Sequence, residues 1–214
     1  MSIIQQIKTT FPNIALVTYI RQIENNLSDC TTILDVGCGD SSPLRLLSKS
    51  YKKTGVDGYK KSLDISKKKK IHDQYIQLDV TKLETKIKPK SYDAVIALDV
   101  IEHLPKEEGF KFLKSLEKAA CKAVILNTPN GFVKQHNENN DLQEHLSGWS
   151  VDDFEANGYQ VLGMYGLKSI RGEFGNLKFG PSFVWGVISL LTHYIFSKKN
   201  PKYAFSLMAI KKLN

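Results

Sequence analysis

The stretch Ile33-Leu34-Asp35-Val36-Gly37-Cys38-Gly39-Asp40 decides the fold. Thr32 to Val36 is a short β-branched, apolar run stopped by glycine, which reads as a strand buried on both faces. Gly37 and Gly39 let the backbone turn sharply and come close to a ligand. Ser42-Pro43-Leu44-Arg45-Leu46-Leu47 then predicts a helix, with Ser42 as N-cap and Pro43 in the first helical position. Open α/β sheets bind ligands at such a place, beyond the carboxyl end of a strand and beside unpaired N–H groups at a helix start. A lone Gly-x-Gly is weak evidence, because a plain strand-to-helix turn uses the same residues.

Working outward, the same rhythm repeats. Ile14 to Leu27 sets Leu16, Ile20, Ile23 and Leu27 on one helical face. Thr54 to Asp57, Tyr75 to Asp79, Tyr92 to Leu98 and Ala123 to Leu126 read as further strands. A helix is expected over Lys106 to Lys118, with Phe110, Leu113 and Leu116 at helical spacing, and a short one near Ser150 to Ala156. Tyr159 to Met164 and Tyr203 to Ile210 supply two late strands, with an insertion between them at about 166–200. Alternating strands and helices predict an α/β, Rossmann-like three-layer sandwich with a mostly parallel sheet. One domain over 1–214 is expected: a helical segment at 1–30, a core at 31–131 and a C-terminal region at 132–214.

Carboxylates strengthen the glycine turn. Asp57 closes the second strand 22 residues after Asp35, the spacing at which an acidic side chain binds ribose hydroxyls. Asp79 closes the third, where it could accept from an adenine amino group. Each is also a common cap or turn residue, but together they outline one rim of a nucleoside pocket. The run is not Gly-x-Gly-x-x-Gly, since Ser42 holds the last position, and this disfavours a dehydrogenase.

From Thr32 to Gly131 the chain resembles the class I S-adenosylmethionine-dependent methyltransferases. The resemblance is carried, in order, by Leu34-Asp35-Val36-Gly37-Cys38-Gly39, Gly55-Val56-Asp57, Leu78-Asp79-Val80, Tyr92-Asp93-Ala94-Val95 and Asp99-Val100-Ile101-Glu102-His103-Leu104. Ser41 departs from it where the family often has a third glycine. The resemblance implies a seven-stranded sheet with an antiparallel last strand. It implies that Asp35, Gly37 and Gly39 hold the methionine part of S-adenosylmethionine, Asp57 the ribose and Asp79 the adenine. Cys38 and Val80 would line the same site, and Leu98 the region beside the transferred methyl.

Asp99, Glu102 and His103 are spaced i, i+3, i+4, which a helical turn would gather on one face. Glu144-His145-Leu146-Ser147-Gly148-Trp149 adds a later histidine. Glu102, His103 and His145 are the candidate catalytic residues, and Asp99, Glu102, His103 and His145 a candidate set for Mg²⁺, Mn²⁺ or Zn²⁺. A carboxylate-x-x-Glu-His followed by a later His resembles the small-RNA 2′-O-methyltransferases and the ubiquinone-pathway O-methyltransferases. The same residues also border pockets where no metal binds. Asn127-Thr128-Pro129-Asn130-Gly131 is either a plain turn or a contact to the acceptor, and His136 reads as a solvent-facing loop residue.

Composition bounds the partners. At 42% hydrophobic and 24% charged, the 214 residues describe a globular chain and exclude global disorder. The net charge of +8 permits an anionic partner. Yet Lys67 to Lys70 and the stretch Lys86 to Lys90 lack arginine and aromatic interleaving, so nucleic acid is not favoured and a solvated face is. Cys30, Cys38 and Cys121 are too few and too irregular for a disulfide framework, which suits a reducing, cytoplasmic setting. Pro181 to Phe196 is apolar but short of the roughly 20 residues of a bilayer span, so it reads as a buried or lid element, or a peripheral membrane contact. Phe132, Trp149, Phe174, Phe179 and Trp185 add aromatic surface above the strand ends. Three functions are expected from these features: O-methylation of a small-molecule, glycan or lipid-linked acceptor; RNA 2′-O-methylation; or cofactor binding without catalysis.

Overall fold

A computed structural model describes residues 15–134, 144–172 and 176–213. Seven strands form one sheet: β1 (Thr32–Val36), β2 (Lys52–Asp57), β3 (Gln74–Gln77), β4 (Tyr92–Leu98), β5 (Ala120–Pro129), β6 (Gln160–Leu167) and β7 (Ala204–Lys212). Their spatial order is β3-β2-β1-β4-β5-β7-β6. Strands β1 to β5 pair in parallel, and β7 lies antiparallel between β5 and β6. This is the Rossmann-like α/β sandwich that the sequence predicts, with the antiparallel last strand that the resemblance implies.

Period-two alternation divides the core between the two faces. Ala94 and Ile96 of β4 join Ile33 and the side chains of α1 (residues 15–24), among them Tyr19, Ile20 and Ile23. Val95 and Ala97 face the other way, with Leu34, Val36 and the buried stripe Phe112, Leu113 and Leu116 of the helix over Lys106–Ala119. The central strands have almost no exposed side-chain surface, which is why they read as continuous apolar runs.

Two departures from expectation occur near the glycine turn. Residues 42–47 form no full helix: a four-residue 3₁₀ turn covers Pro43–Leu46, capped by Ser42 through its hydroxyl to Leu44 N–H. The chain then swings extended at Leu47, and Glu24 of α1 takes both the N–H and the hydroxyl of Ser48, removing a group that a longer helix would need. A helix the sequence did not announce, α2 (Lys60–Lys68), comes after β2. Only Leu63 and Ser66 of it are buried, so lysines crowd its outer surface and its apolar signal is faint.

The remaining helices are α3 (Lys106–Ala119), α4 (Val151–Glu155) and α5 (Ser182–Thr192). Ser150 and Asp153 close a reciprocal capping box on α4, a start signal legible in the sequence. The insertion between β6 and β7 holds α5 and a π-helical turn, His193–Ser197. All three cysteines are free. Among the described residues, no helix is long and apolar enough to cross a membrane. His136 and Phe174 lie outside the described residues.

Candidate active site

Both glycines of the opening turn have left-handed backbones, Gly37 at φ +72° and Gly39 at φ +58°. A Cβ on Gly37 would stand 2.4 Å from Val100 Cγ2, so space and conformation both demand glycine there. The turn is tied to the neighbouring strand: Gly37 N–H and Cys38 N–H donate to Val56 O at 2.7 and 3.0 Å. Gly39 N–H donates to Asp57 Oδ2 at 2.8 Å, and Tyr59 N–H to Asp57 Oδ1 at 2.7 Å. Each of those oxygens keeps a lone pair for a further donor, as binding a ribose diol requires.

Asp35 sits lower than the sequence suggests. Its carboxylate is buried, and Oδ2 accepts from Ser42 Oγ at 2.6 Å and faces His72 Nε2 at 2.8 Å. Asp35 therefore acts on the turn from beneath, by anchoring Ser42. His72 does not stand out in the sequence because no spacing links positions 35 and 72; it is brought there where the chain enters β3, with its N–H held by the Tyr75 hydroxyl. The Cys38 thiol is buried in the turn, and burial pushes its pKa up, helped by the charges of Asp35 and Asp57. Asp79 lies exposed just past β3, where it caps a 3₁₀ turn over Val80–Thr85 by accepting from Thr81 N–H and Oγ1. Val80 and Leu98 are half-buried, Leu98 at the very end of β4.

Past β4 the chain takes an uncommon step. Asp99 has φ +55°, a conformation that few non-glycine residues adopt and that recurs at functional sites. Asn127 at the end of β5 enforces it from both sides: its carbonyl accepts Asp99 N–H at 2.8 Å, and its Nδ2 donates to Asp99 Oδ1 at 2.7 Å. The helical turn expected over 99–103 is a 3₁₀ turn, Ile101–His103, with Asp99 outside it.

That turn delivers Glu102 and His103 to a meeting point with His145. Glu102 is buried, and Oε2 accepts from Thr128 Oγ1 at 2.9 Å. The Glu102 carbonyl accepts from Leu146 and Ser147 N–H, which fixes the segment carrying His145. His103 Nδ1 lies 3.0 Å from Glu144 O, and His145 Nδ1 lies 2.6 Å from Val133 O. A carbonyl can only accept, so both imidazoles carry the proton on Nδ1 and leave Nε2 as a lone-pair donor. The rings stand edge to face, 4.8 Å between centroids. One ligand atom each from Glu102, His103 and His145 lies within 4.8 Å of the others; Asp99 is outside this group.

The electrostatics agree with that geometry. Burial, reinforced by the nearby Asp99 charge, pushes the Glu102 carboxyl well up. Asp99 is raised as well: protein encloses it except where its accessible surface opens into the site. Burial lowers both His103 and His145 and keeps them neutral, the form that binds a cation or accepts a proton. A carboxylate held against its preference beside two oriented imidazoles is a donor set that a divalent cation would satisfy, and the carbonyl partners are the usual outer support of such ligands.

These groups line a cavity of about 470 Å³, whose other walls include Tyr165 and Arg171. Neither stands out in the sequence. Tyr165, like Asp99, is a left-handed non-glycine residue, at φ +61°, stacked on Tyr19 of α1 with centroids 5.6 Å apart. Arg171 donates from Nε to Tyr165 O and from a terminal nitrogen to Ser189 Oγ in α5. Of the Asn127–Gly131 segment, Asn127 and Pro129 reach the cavity. Asn130 instead donates to the carbonyls of Pro201, Lys202 and Ala204, a staple for the returning insertion. Trp149 is core, fully buried.

Comparison with known proteins shows what this arrangement is similar to. Residues 34–133 match the family model of a methyltransferase domain. A ubiquinone biosynthesis O-methyltransferase of Rickettsia prowazekii is 29% identical over 140 residues, covering 61% of this chain and 53% of that protein. The chain thus spans about half the length of the curated relatives it matches. The crystal structure of the methyltransferase domain of bacterial CtHen1-CN is similar at TM-score 0.58 and 22% identity, over 95% of this chain and all of that one. That of magnesium protoporphyrin IX methyltransferase from Synechocystis PCC 6803 with bound SAM is similar at TM-score 0.55 and 18% identity, over 100% of this chain and 85% of that one. With the strand order, the glycine turn and Asp57 already in place, residues 34–133 match a methyltransferase domain, and the chain shares the fold of solved S-adenosylmethionine-dependent methyltransferases.

Proposed function

We propose that this chain transfers the methyl group of S-adenosylmethionine to a hydroxyl oxygen of a small molecule. The observation that carries the reading is the junction of two half-sites at the end of β4: the Gly37–Asp57 rim on one side, and the Glu102, His103 and His145 cluster on the other. Asp57 would take the ribose hydroxyls, Asp79 and Val80 would border the adenine, and Leu98 would stand next to the reacting methyl. S-adenosylmethionine supplies an activated methyl, so the protein's main task is alignment. An O–C bond forms, the S–C bond breaks with its electron pair left on sulfur, and the hydroxyl proton passes to a base. His103 or His145, each with its Nδ1 proton held by a carbonyl, would receive it on Nε2.

Alternatively, Glu102 and, through those same Nε2 atoms, His103 and His145 would hold a divalent cation, and the cation, in place of an imidazole base, would lower the pKa of a hydroxyl beside it. Asp99, held off by Asn127, would line the acceptor cavity. The relatives' role in ubiquinone biosynthesis supports a small-molecule acceptor, and an apolar or lipid-linked one suits the walls supplied by Tyr165 and Phe205. An RNA end is less well supported. The Lys86–Lys90 run precedes β4 and so lies at the opposite end of the sheet from this cavity.

Titration calorimetry with S-adenosylmethionine tests the first half-site. Asp57→Ala should weaken binding by about tenfold or more, roughly 1.4 kcal/mol. Undiminished affinity would remove Asp57 from the site, and no binding by the unaltered chain would remove the function.

A further inference from the structure

The insertion between β6 and β7 carries a helix turned inside out. Among the described side chains, Ser189, His193 and Ser197, at i, i+4 and i+8, are the buried ones of α5 and its π-helical extension. The outward positions are apolar: Ile195 is 77% exposed, Leu191 and Tyr194 are each 53% exposed, and Phe196 is exposed as well. A helix that packs on a protein in water does the reverse. Burial is costly for the inner stripe, too. Both ring nitrogens of His193 and the Ser197 hydroxyl lack a hydrogen-bond partner among the described residues.

The apolar surface is continuous rather than scattered. The Phe196 ring packs against exposed Tyr203, 5.4 Å between centroids. The Tyr194 hydroxyl shares a hydrogen bond with Thr18 of α1, next to exposed Val17. Soluble surfaces seldom leave such a patch without a partner.

We propose that this face docks on a membrane surface bearing anionic headgroups, with α5 and the π-helical turn lying in the plane of the interface. Charge argues for that occupant. Residues 174–203 contain four lysines and no carboxylate, and Lys198 and Lys199 directly follow the apolar turn. Aromatic rings beside lysines at the rim of an apolar face match the polarity of a lipid–water boundary. The element is too short to cross, so it lies on the surface rather than through it. Arg171, on the wall of the acceptor cavity, is hydrogen-bonded to Ser189 on the inner stripe of α5, so the docked face backs onto that cavity. The docking stands on these observations alone; only the delivery of a lipid-borne acceptor would rest on the methyl-transfer reading.

Co-sedimentation of the full chain with phosphatidylcholine vesicles, with and without phosphatidylglycerol, tests it. The expected result is binding that rises with the anionic fraction. It should fall at least tenfold in a Leu191→Asp, Ile195→Asp double variant, while Lys198→Glu with Lys199→Glu should abolish the preference for anionic vesicles. Both variants change exposed or half-exposed side chains, and their circular dichroism and S-adenosylmethionine affinity should match the parent. Absence of binding to every vesicle, equal binding to neutral and anionic vesicles, or undiminished binding by the Asp double variant would each overturn the proposal. So would a dimer in sedimentation velocity that the same Asp substitutions dissolve, since a second copy would then be what covers the face.

Discussion

Asp99 and Asn127 show how single residues build the acceptor side. Two hydrogen bonds between Asn127 and Asp99, one donated by each, hold Asp99 in a left-handed conformation, and the chain beyond it then drops Glu102 and His103 beside His145. The two histidines are oriented alike, each by a carbonyl on Nδ1, so they should behave as a pair. We expect His103→Ala and His145→Ala each to weaken Mn²⁺ or Zn²⁺ binding by 10- to 100-fold, as loss of a ligand or its support does. Titration of the metal into the unaltered chain and each variant reads this directly. A variant that binds as tightly as the parent would release that histidine from the set.

The candidate residues were legible in the sequence because motif order encodes strand ends. Gly37, Asp57 and Asp79 each come after an apolar run, and the run ends where the sheet ends. His72, Tyr165 and Arg171 were not legible, for a different reason. His72 meets Asp35 only across the sheet, and Tyr165 and Arg171 come from β6 and the segment after it, whose place is set by the antiparallel pairing of β6 with β7. Position in space there depends on register, and no local pattern announces it.

At the scale of elements, α3 is fastened to the acceptor side by close packing. A Cβ on Gly109 would meet the Trp149 ring at 2.3 Å, and Lys106 in the same helix sits 3.9 Å from that ring's centroid while pairing with Asp153. Alanine normally favours a helix over glycine by up to about 1 kcal/mol. Here the clash should win. Gly109→Ala should lose roughly 1–3 kcal/mol, seen as a lower urea midpoint. A gain in stability would mean that Trp149 gives way easily. The missing helix after β1 and the unannounced α2 teach the converse lesson. Ser42-Pro43 is a sound helix start, but the path of the backbone past Leu47 is set by Glu24, 24 residues before Ser48 in the chain. In α2 a helix forms although only Leu63 and Ser66 are buried.

For the whole molecule, the inverted helix ties stability to pH. Burial, with a smaller contribution from Lys198, depresses His193 to about 4, whereas an unfolded chain titrates near the ordinary histidine value of about 6.5. Below that value the unfolded state takes up a proton that the folded state refuses. The contribution of His193 to stability is therefore complete above about pH 6.5 and is lost as pH falls towards 4. On the order of 2 kcal/mol is at stake, allowing for partial screening. Thermal unfolding of His193→Gln should fall less steeply between pH 6.5 and 4 than that of the parent. Parallel curves would show that the imidazole has access to water.

The short turn after β1 has its own consequence. In place of helical hydrogen bonds, Lys69, just past α2, reaches over to bond Asp40 O and Ser41 Oγ, each at 2.9 Å. Between the ties of Gly39 to Asp57 and of Ser42 to Asp35, the tip of the loop that would receive the cofactor is thus moored by one long side chain from a neighbouring element. Such a segment can open by itself while the sheet stays intact. Amide hydrogen exchange at Asp40 and Ser41 should run far ahead of that at Ile33 to Val36 and slow once S-adenosylmethionine is bound. Recognition of the ligand would then be in part the settling of this loop.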